Sequence, residues 1–225
     1  MSRLTDTIGA MNKITLIGIS GTNGAGKDTV GHILADKFGY IFVSVTDSLR
    51  EEARRRGLDP ARENLREISA DWRREFGLAV LVDKTVEHQQ DNAKGKAGLV
   101  IASLRNPAEA DRVHELGGIV LWIDAAPRVR YDRIQANAVA RNRADEDNRS
   151  FEQFIAEEEA EMHRPKGADS ATLDMSAVKE RADKIIINEF DTPDGLANEL
   201  ARTLASLNST SCFQGQGRIL GGFPD

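Results

Sequence analysis

The 225 residues carry 36 acidic against 30 basic side chains, a formal charge of −6 at pH 7, which speaks against a general nucleic-acid binder because such domains carry a basic excess. A content of 40% hydrophobic and 29% charged residues fits one soluble α/β domain with a sizeable core and leaves little room for two. The single cysteine, Cys212, excludes a disulfide framework and points to a reducing cytoplasm, while no apolar run reaches membrane-span length and the first residues lack a secretion signal's apolar core.

Residues 1–12 read as a flexible extension, and 14–19 as a first strand. The loop Gly21-Thr22-Asn23-Gly24-Ala25-Gly26-Lys27-Asp28-Thr29 follows, with G-x-x-x-x-G-K spacing, and Val30, Ile33, Leu34 and Phe38 then recur at helical intervals. Strand, glycine-rich loop and helix in this order form a phosphate-binding P-loop: backbone N–H groups and the helix N-terminus face a phosphate, and Lys27 adds a full charge. Asp28 stands where a hydroxyl usually meets Mg²⁺, and the hydroxyl comes one residue later, at Thr29.

A second strand is expected over 40–45, and a charged helix opens at Thr46 and runs to about Arg56, where Gly57 and Asp59-Pro60 break it. Helical spacing returns over 61–76, through Leu65, Ile68, Trp72 and Phe76, and again through Val80, Leu81, Thr85 and Val86. Three helices exceed what a crossover needs, so 46–96 is the expected acceptor-binding region. A short strand over 99–102 precedes Asn106-Pro107-Ala108-Glu109, a capping Asn, Pro at the first helical position and Glu at the third. Gly117-Gly118 ends that helix, 119–123 is a strand, and Pro127 opens a helix. The charged segment 141–149 reads as an exposed loop, and Ser150-Phe151-Glu152-Gln153 begins a helix reaching about His163. A loose stretch follows, then a fifth strand over 184–188 and a last helix with Leu196, Leu200 and Leu204 four apart. From Asn208 the sequence loses periodicity, and 208–225 is expected to be a disordered tail. Alternating strands and helices predict a parallel sheet covered on both faces, with ligands beyond the carboxyl ends of its strands.

That edge directs attention to the P-loop, Asp47 and Arg50, Ser103 and Arg105, and Asp124. Asp47 and Arg50 lie one helical turn apart; either Asp47 is a plain N-cap, or the pair faces an acceptor, Asp47 taking its proton and Arg50 its phosphate. Many P-loop proteins end their third strand in an Asp that serves Mg²⁺. Here Ala102-Ser103 offers no carboxylate, which makes Asp28 the substitute metal contact, and Mg²⁺ accepts carboxylate oxygen alongside water. Arg105 reads as a phosphate contact. Arg141, Arg143 and Arg149 belong either to a merely solvated loop or to a lid that closes on a transferring group; Arg133 joins them if its helix phase permits. His88, His114 and His163 lack metal-ligand spacing.

The P-loop with its Gly26-Lys27-Asp28-Thr29 ending, Asp47-x-x-Arg50, Leu104-Arg105-Asn106-Pro107-x-Glu109, Asp124 through Arg130 to Arg133, and Ala182-Asp183-x-Ile185-Ile186-Ile187-Asn188 occur in that order. Together, over about 13–205, they resemble the P-loop kinases of small molecules, in the branch containing dephospho-CoA kinase and other nucleotide-kinase-like proteins. The resemblance implies a P-loop NTPase three-layer α/β/α fold with a five-stranded parallel sheet, a helical acceptor-binding region and a lid over 141–149. It implies ATP and Mg²⁺ as cofactors and transfer of the γ-phosphate to a nucleoside monophosphate or dephospho-CoA type of acceptor, and it indicates no nucleic-acid, membrane or protein partner. In that scheme Gly21, Thr22, Asn23, Gly24, Ala25, Gly26 and Lys27 hold the donor phosphates with Arg141, and Asp28 and Thr29 organise the metal. Asp47, Arg50 and Arg105 meet the acceptor, and Arg143 acts at the transferring group. Dephospho-CoA kinases usually have Ser where this chain has Asp28, and their relatives often have Asp-Gly in place of Ala102-Ser103. The other reading is a regulatory P-loop ATPase that switches a protein partner and has no small-molecule acceptor.

Overall fold

Strands β1 (Leu16–Gly21) and β3 (Leu99–Ala102) are buried along their whole length, as near-continuous runs of Leu, Ile and Val must be in a sheet covered on both faces. With β2 (Ile41–Ser44), β4 (Ile119–Asp124) and β5 (Lys184–Ile187) they form one five-stranded sheet in the order β2-β3-β1-β4-β5, every pair parallel. Ile17 is in register with Val100 on one side and Ile119 on the other. The chain leaves β1 towards β2 and β3 on one side and crosses to β4 on the other. The loop after β1 therefore occupies the switch point where such sheets bind ligands. In this computed structural model the described residues are 15–89, 91–92, 94–137, 149–190 and 192–215.

Two cores clamp the sheet. One packs Ile17, Ile19, Val100, Leu121 and Ile123 against α1 (Lys27–Phe38) and α9 (Pro193–Gly215). Val30 and Leu34 of α1 are fully buried there, each contributing about 1.5–3 kcal/mol, so the helix fed by the phosphate loop is firmly anchored. Gly31 lets α1 approach the sheet closely: a Cβ there would fall 2.3 Å from the Phe42 ring. The other core joins Leu16, Ile101, Val120 and Trp122 to α2 (Val45–Arg55), α3 (Arg62–Phe76), α4 (Val80–Gln89), α5 (Pro107–Glu115) and α8 (Met175–Glu180). Helices α6 (Pro127–Ala136) and α7 (Phe151–Met162) close the edge above the P-loop. Among the described residues no helix is long and apolar enough to cross a membrane.

The sequence expectations need three corrections. Helix α2 begins at Val45, not Thr46, so Ser44 is its N-cap and Asp47 lies inside the first turn, where it does not cap the helix. Helix α8, capped by Asp174 accepting from Ala177 N at 3.1 Å, lies in the stretch read as loose; six residues are too few to show a period. Helix α9 runs through Gly215, although the tail was expected to begin at Asn208. Once a helix is nucleated each further residue adds a hydrogen bond, and no Gly or Pro interrupts 208–214. Residues 1–12, 141–148 and 216–225, and with them Arg141 and Arg143, lie outside the described residues.

Candidate active site

The loop from Gly21 to Lys27 is built from both ends. Gly21 has φ 142°, and a Cβ there would sit 2.0 Å from Ile123 O, so only glycine lets β1 turn this close to β4. Thr22 N donates to Ile123 O at 3.3 Å, and Thr22 Oγ1 donates to Asp124 Oδ1 at 2.8 Å. Asn188, just past β5, donates from Nδ2 to Ala25 O at 2.7 Å, and Arg130 Nη1 donates to Asn23 O at 3.2 Å. With its carbonyls tied outward and no side chain capping α1 at Gly26, the loop leaves the amides at the helix start available to an anion.

Lys27 folds back across this loop and donates to Gly21 O at 3.0 Å and Thr22 O at 2.8 Å. Part of the residue faces the cavity, but its ammonium is enclosed, and burial followed by the charge of Arg105 pulls its pKa from 10.5 down to about 7. Asp124 behaves in the opposite sense. Burial pushes its carboxyl up, yet hydrogen bonds from Thr22, Trp122 and Ala125 N, and the charge of Lys179, hold it below the usual carboxylate range. It stays ionised as a fixed acceptor for Thr22.

The loop opens onto a cavity of about 800 Å³, lined also by the start of α2, one face of α3 and the turn after β3. Arg50, Arg62, Arg66, Arg73, Arg105 and Arg133 line it with Lys27, against Asp28 and Glu67, so the space is strongly cationic. Asp28 and Thr29 are both exposed in the first turn of α1 and both line the cavity, presenting hard oxygen donors beside the phosphate loop. These donors suit Mg²⁺, which takes one or two protein oxygens and completes its shell with phosphate and water. Asp47, with its side chain 71% exposed, is not among the lining residues; it holds Arg50 Nη1 at 2.7 Å, and Arg50 is. Arg149, at the end of the expected lid segment, pairs with Glu157, and its carbonyl accepts from Tyr131 Oη at 2.8 Å.

Arg133, Arg105 and Ser103 stood in recognised sequence patterns, but the partners that hold them did not show there. Arg133 lines the cavity and donates to Asn188 O at 2.9 Å, bordering a smaller hollow of about 170 Å³ with Gly26, Thr29, Asn188, Phe190 and Pro193. Arg105 is held from below: its backbone N donates to Glu109 Oε2 at 2.7 Å, and Glu109 also takes Arg73 Nη2 at 2.7 Å in a pair only 3% and 1% exposed. Ser103, which lines the cavity, adopts φ 75° without being glycine. Glu161 accepts from Arg105 Nη1 at 2.9 Å. The capping signature of Asn106 and Glu109 was visible in the sequence. Glu161 carried no such signal, since its partners lie 56 to 99 residues away.

The family described as an AAA domain matches residues 17–162. A UPF0200 protein of Pyrobaculum aerophilum is 29% identical over 196 residues, covering 86% of this chain and 99% of its own. Another, of Methanocaldococcus jannaschii, is 29% identical over 177 residues, covering 78% and 87%. Shikimate kinase from Bacteroides thetaiotaomicron is similar in structure with a TM-score of 0.52 at 13% identity, covering 85% of this chain and 98% of that one. Shikimate kinase from Acinetobacter baumannii in complex with shikimate gives 0.50 at 17% identity, covering 86% and 94%. At these identities the likeness is one of fold, that of a P-loop kinase-type protein with a five-stranded parallel sheet.

Proposed function

The chain belongs to the AAA domain family, and from that premise we propose that it is a kinase moving the γ-phosphate of MgATP to a small phosphorylated acceptor of the nucleoside monophosphate or dephospho-CoA type. One observation carries this reading: the phosphate loop opens into a cavity of about 800 Å³ walled by six arginines, all of them from outside the loop. That volume is in the usual range for small-molecule sites. A site that only hydrolysed ATP needs cations at the donor phosphates, not an arginine-lined chamber extending to α3.

Lys27 and the loop amides hold the donor phosphates, and the hollow beside Arg133, Asn188 and Phe190 seats the donor base. Asp28 and Thr29 hold Mg²⁺, which when bound neutralises charge on the β- and γ-oxygens. Arg50 and Arg105 take the acceptor's phosphate. Asp47, outside the cavity lining, steadies Arg50 and so acts on the acceptor through that arginine. Arg141 meets the donor phosphates and Arg143 the charge on the transferring group. Catalysis in this scheme is positioning plus charge stabilisation, as phosphoryl transfer requires.

ADP release, coupled to an optical readout, tests the reading over a panel of nucleoside monophosphates, dephospho-CoA, phosphomevalonate and, as a non-phosphorylated comparison, shikimate. At least one phosphorylated compound is expected to raise turnover well above the basal rate. A flat panel rejects the kinase reading in favour of a regulatory ATPase.

A further inference from the structure

Three arginines from two elements converge on one carboxylate. Glu161, in the last turn of α7, accepts from Arg105 Nη1 at 2.9 Å, from Arg62 Nη1 at 3.4 Å and from Arg66 Nη2. Arg62 and Arg66 lie one turn apart on α3, and Arg105 follows β3. All three arginines line the large cavity; Glu161, with its side chain 11% exposed, does not. The guanidinium-bearing residues, and not the carboxylate, therefore line the cavity. Burial pushes its pKa up, but Arg105, Arg62 and Arg66 hold it down to about 2, so it remains charged near neutral pH.

Three guanidiniums against Glu161, with Glu157 also on Arg62, leave this wall of the cavity net positive. Glu157 meets Arg62 at 3.4 Å and also pairs with Arg149, so Arg62 is the most engaged of the three arginines. Each guanidinium has five N–H donors in a fixed plane, and Glu161 engages one from each, which orients the planes without exhausting them. The cluster is also close enough to the phosphate loop for Arg105, Glu161 and Arg62 all to act on Lys27.

We propose that Glu161 is a positioning residue that gathers Arg62, Arg66 and Arg105 into one cradle, in which the remaining donors of Arg66 and Arg105 hold an oxyanion of the phosphate-monoester class. Calling that oxyanion part of the acceptor rests on the kinase reading; the cradle itself does not. Without Glu161 the three like charges repel and the long side chains regain their freedom, so the cradle disperses. The carboxylate thus strengthens binding of an anion that it also, at longer range, repels. Because the arginines line the cavity and Glu161 does not, the ordering effect is the larger one.

Calorimetric titration of inorganic phosphate into protein saturated with ADP and Mg²⁺, which fill the phosphate loop, tests this. In Glu161→Gln, phosphate binding is expected to weaken about tenfold, the scale of one lost charge-assisted contact, while ADP affinity stays within about twofold of wild type. Glu161→Asp should recover part of the loss. Phosphate affinity that is unchanged or tighter in Glu161→Gln, ADP affinity that falls in parallel, or a wild type that does not bind phosphate would each overturn the proposal. If the Gln variant fails to fold, Arg66→Gln at a half-exposed position takes its place, with the same loss expected and unchanged binding again overturning the idea. A flat acceptor panel would remove the kinase reading and leave this titration intact, so the two failures are distinguishable.

Discussion

Lys27 is discouraged from carrying charge before any phosphate arrives. Its folded pKa is lowered from 10.5 to about 7. The cost of keeping the ammonium charged is therefore fully present below about pH 7 and fades as pH rises towards 10.5, where the unfolded chain also loses its proton. A nucleotide's phosphates reverse the balance, because an adjacent anion favours the charged form. ATP binding at pH 8 is thus expected to take up a proton, and calorimetry in two buffers of different ionisation enthalpy reads it. The uptake should shrink at pH 6, where Lys27 is already charged, and heats independent of buffer at pH 8 would contradict this. Ser103 carries a different strain. Its N and the N of Leu104 both donate to Ile19 O, at 2.9 and 3.2 Å, and this pins the turn with Ser103 left-handed. Such a conformation costs a non-glycine residue about 1–2 kcal/mol, against about 0.4–1 kcal/mol for the extra freedom glycine gives the unfolded chain. Ser103→Gly is expected to raise stability by about 0.5–1 kcal/mol in urea unfolding; a loss would mean that the hydroxymethyl group makes a compensating contact.

Helix α5 and its cap hold the arginine side of the site in place. Glu109 closes the capping box at Asn106, accepts from Arg105 N, and pairs with Arg73 in the core. Two kinds of contribution meet there. A cap is worth about 1 kcal/mol, whereas leaving a buried guanidinium without its anion costs about 3–5 kcal/mol. The second dominates, so Glu109→Gln should lose roughly 3 kcal/mol in denaturant unfolding, and a loss under 1 kcal/mol would show that Arg73 finds another anion. Helix α7 works as a strut. Glu157 meets Arg149 at the end of the expected lid segment, Glu158 holds Arg130 Nη1 at 2.5 Å while that same nitrogen donates to the phosphate loop, and Glu161 orders the arginines of α3. Arg149, the phosphate loop and the arginine wall are thus tied to one helix.

Over the whole molecule, the parallel sheet and the P-loop were legible because both rest on local signals: apolar strand runs, glycine spacing and helical periodicity within a dozen residues. What joins distant segments was not. Sequence spacing alone allowed Asp47 to cap α2, but the strand ended a residue earlier than its apolar run and moved Asp47 into the helix. The phase of Arg133 on α6 became clear only from its bond to Asn188 O. Asn188 itself lay in a recognised strand-end pattern, yet nothing in that pattern announced that its amide would reach Ala25 O. The central claim is that donor loop and arginine wall serve one transfer reaction, and it is tested most directly by following the label of [γ-³²P]ATP. With the acceptor that stimulates ADP release, the label is expected on that acceptor, and Lys27→Ala should abolish the transfer. Label recovered only as inorganic phosphate, with or without the acceptor, would contradict the account.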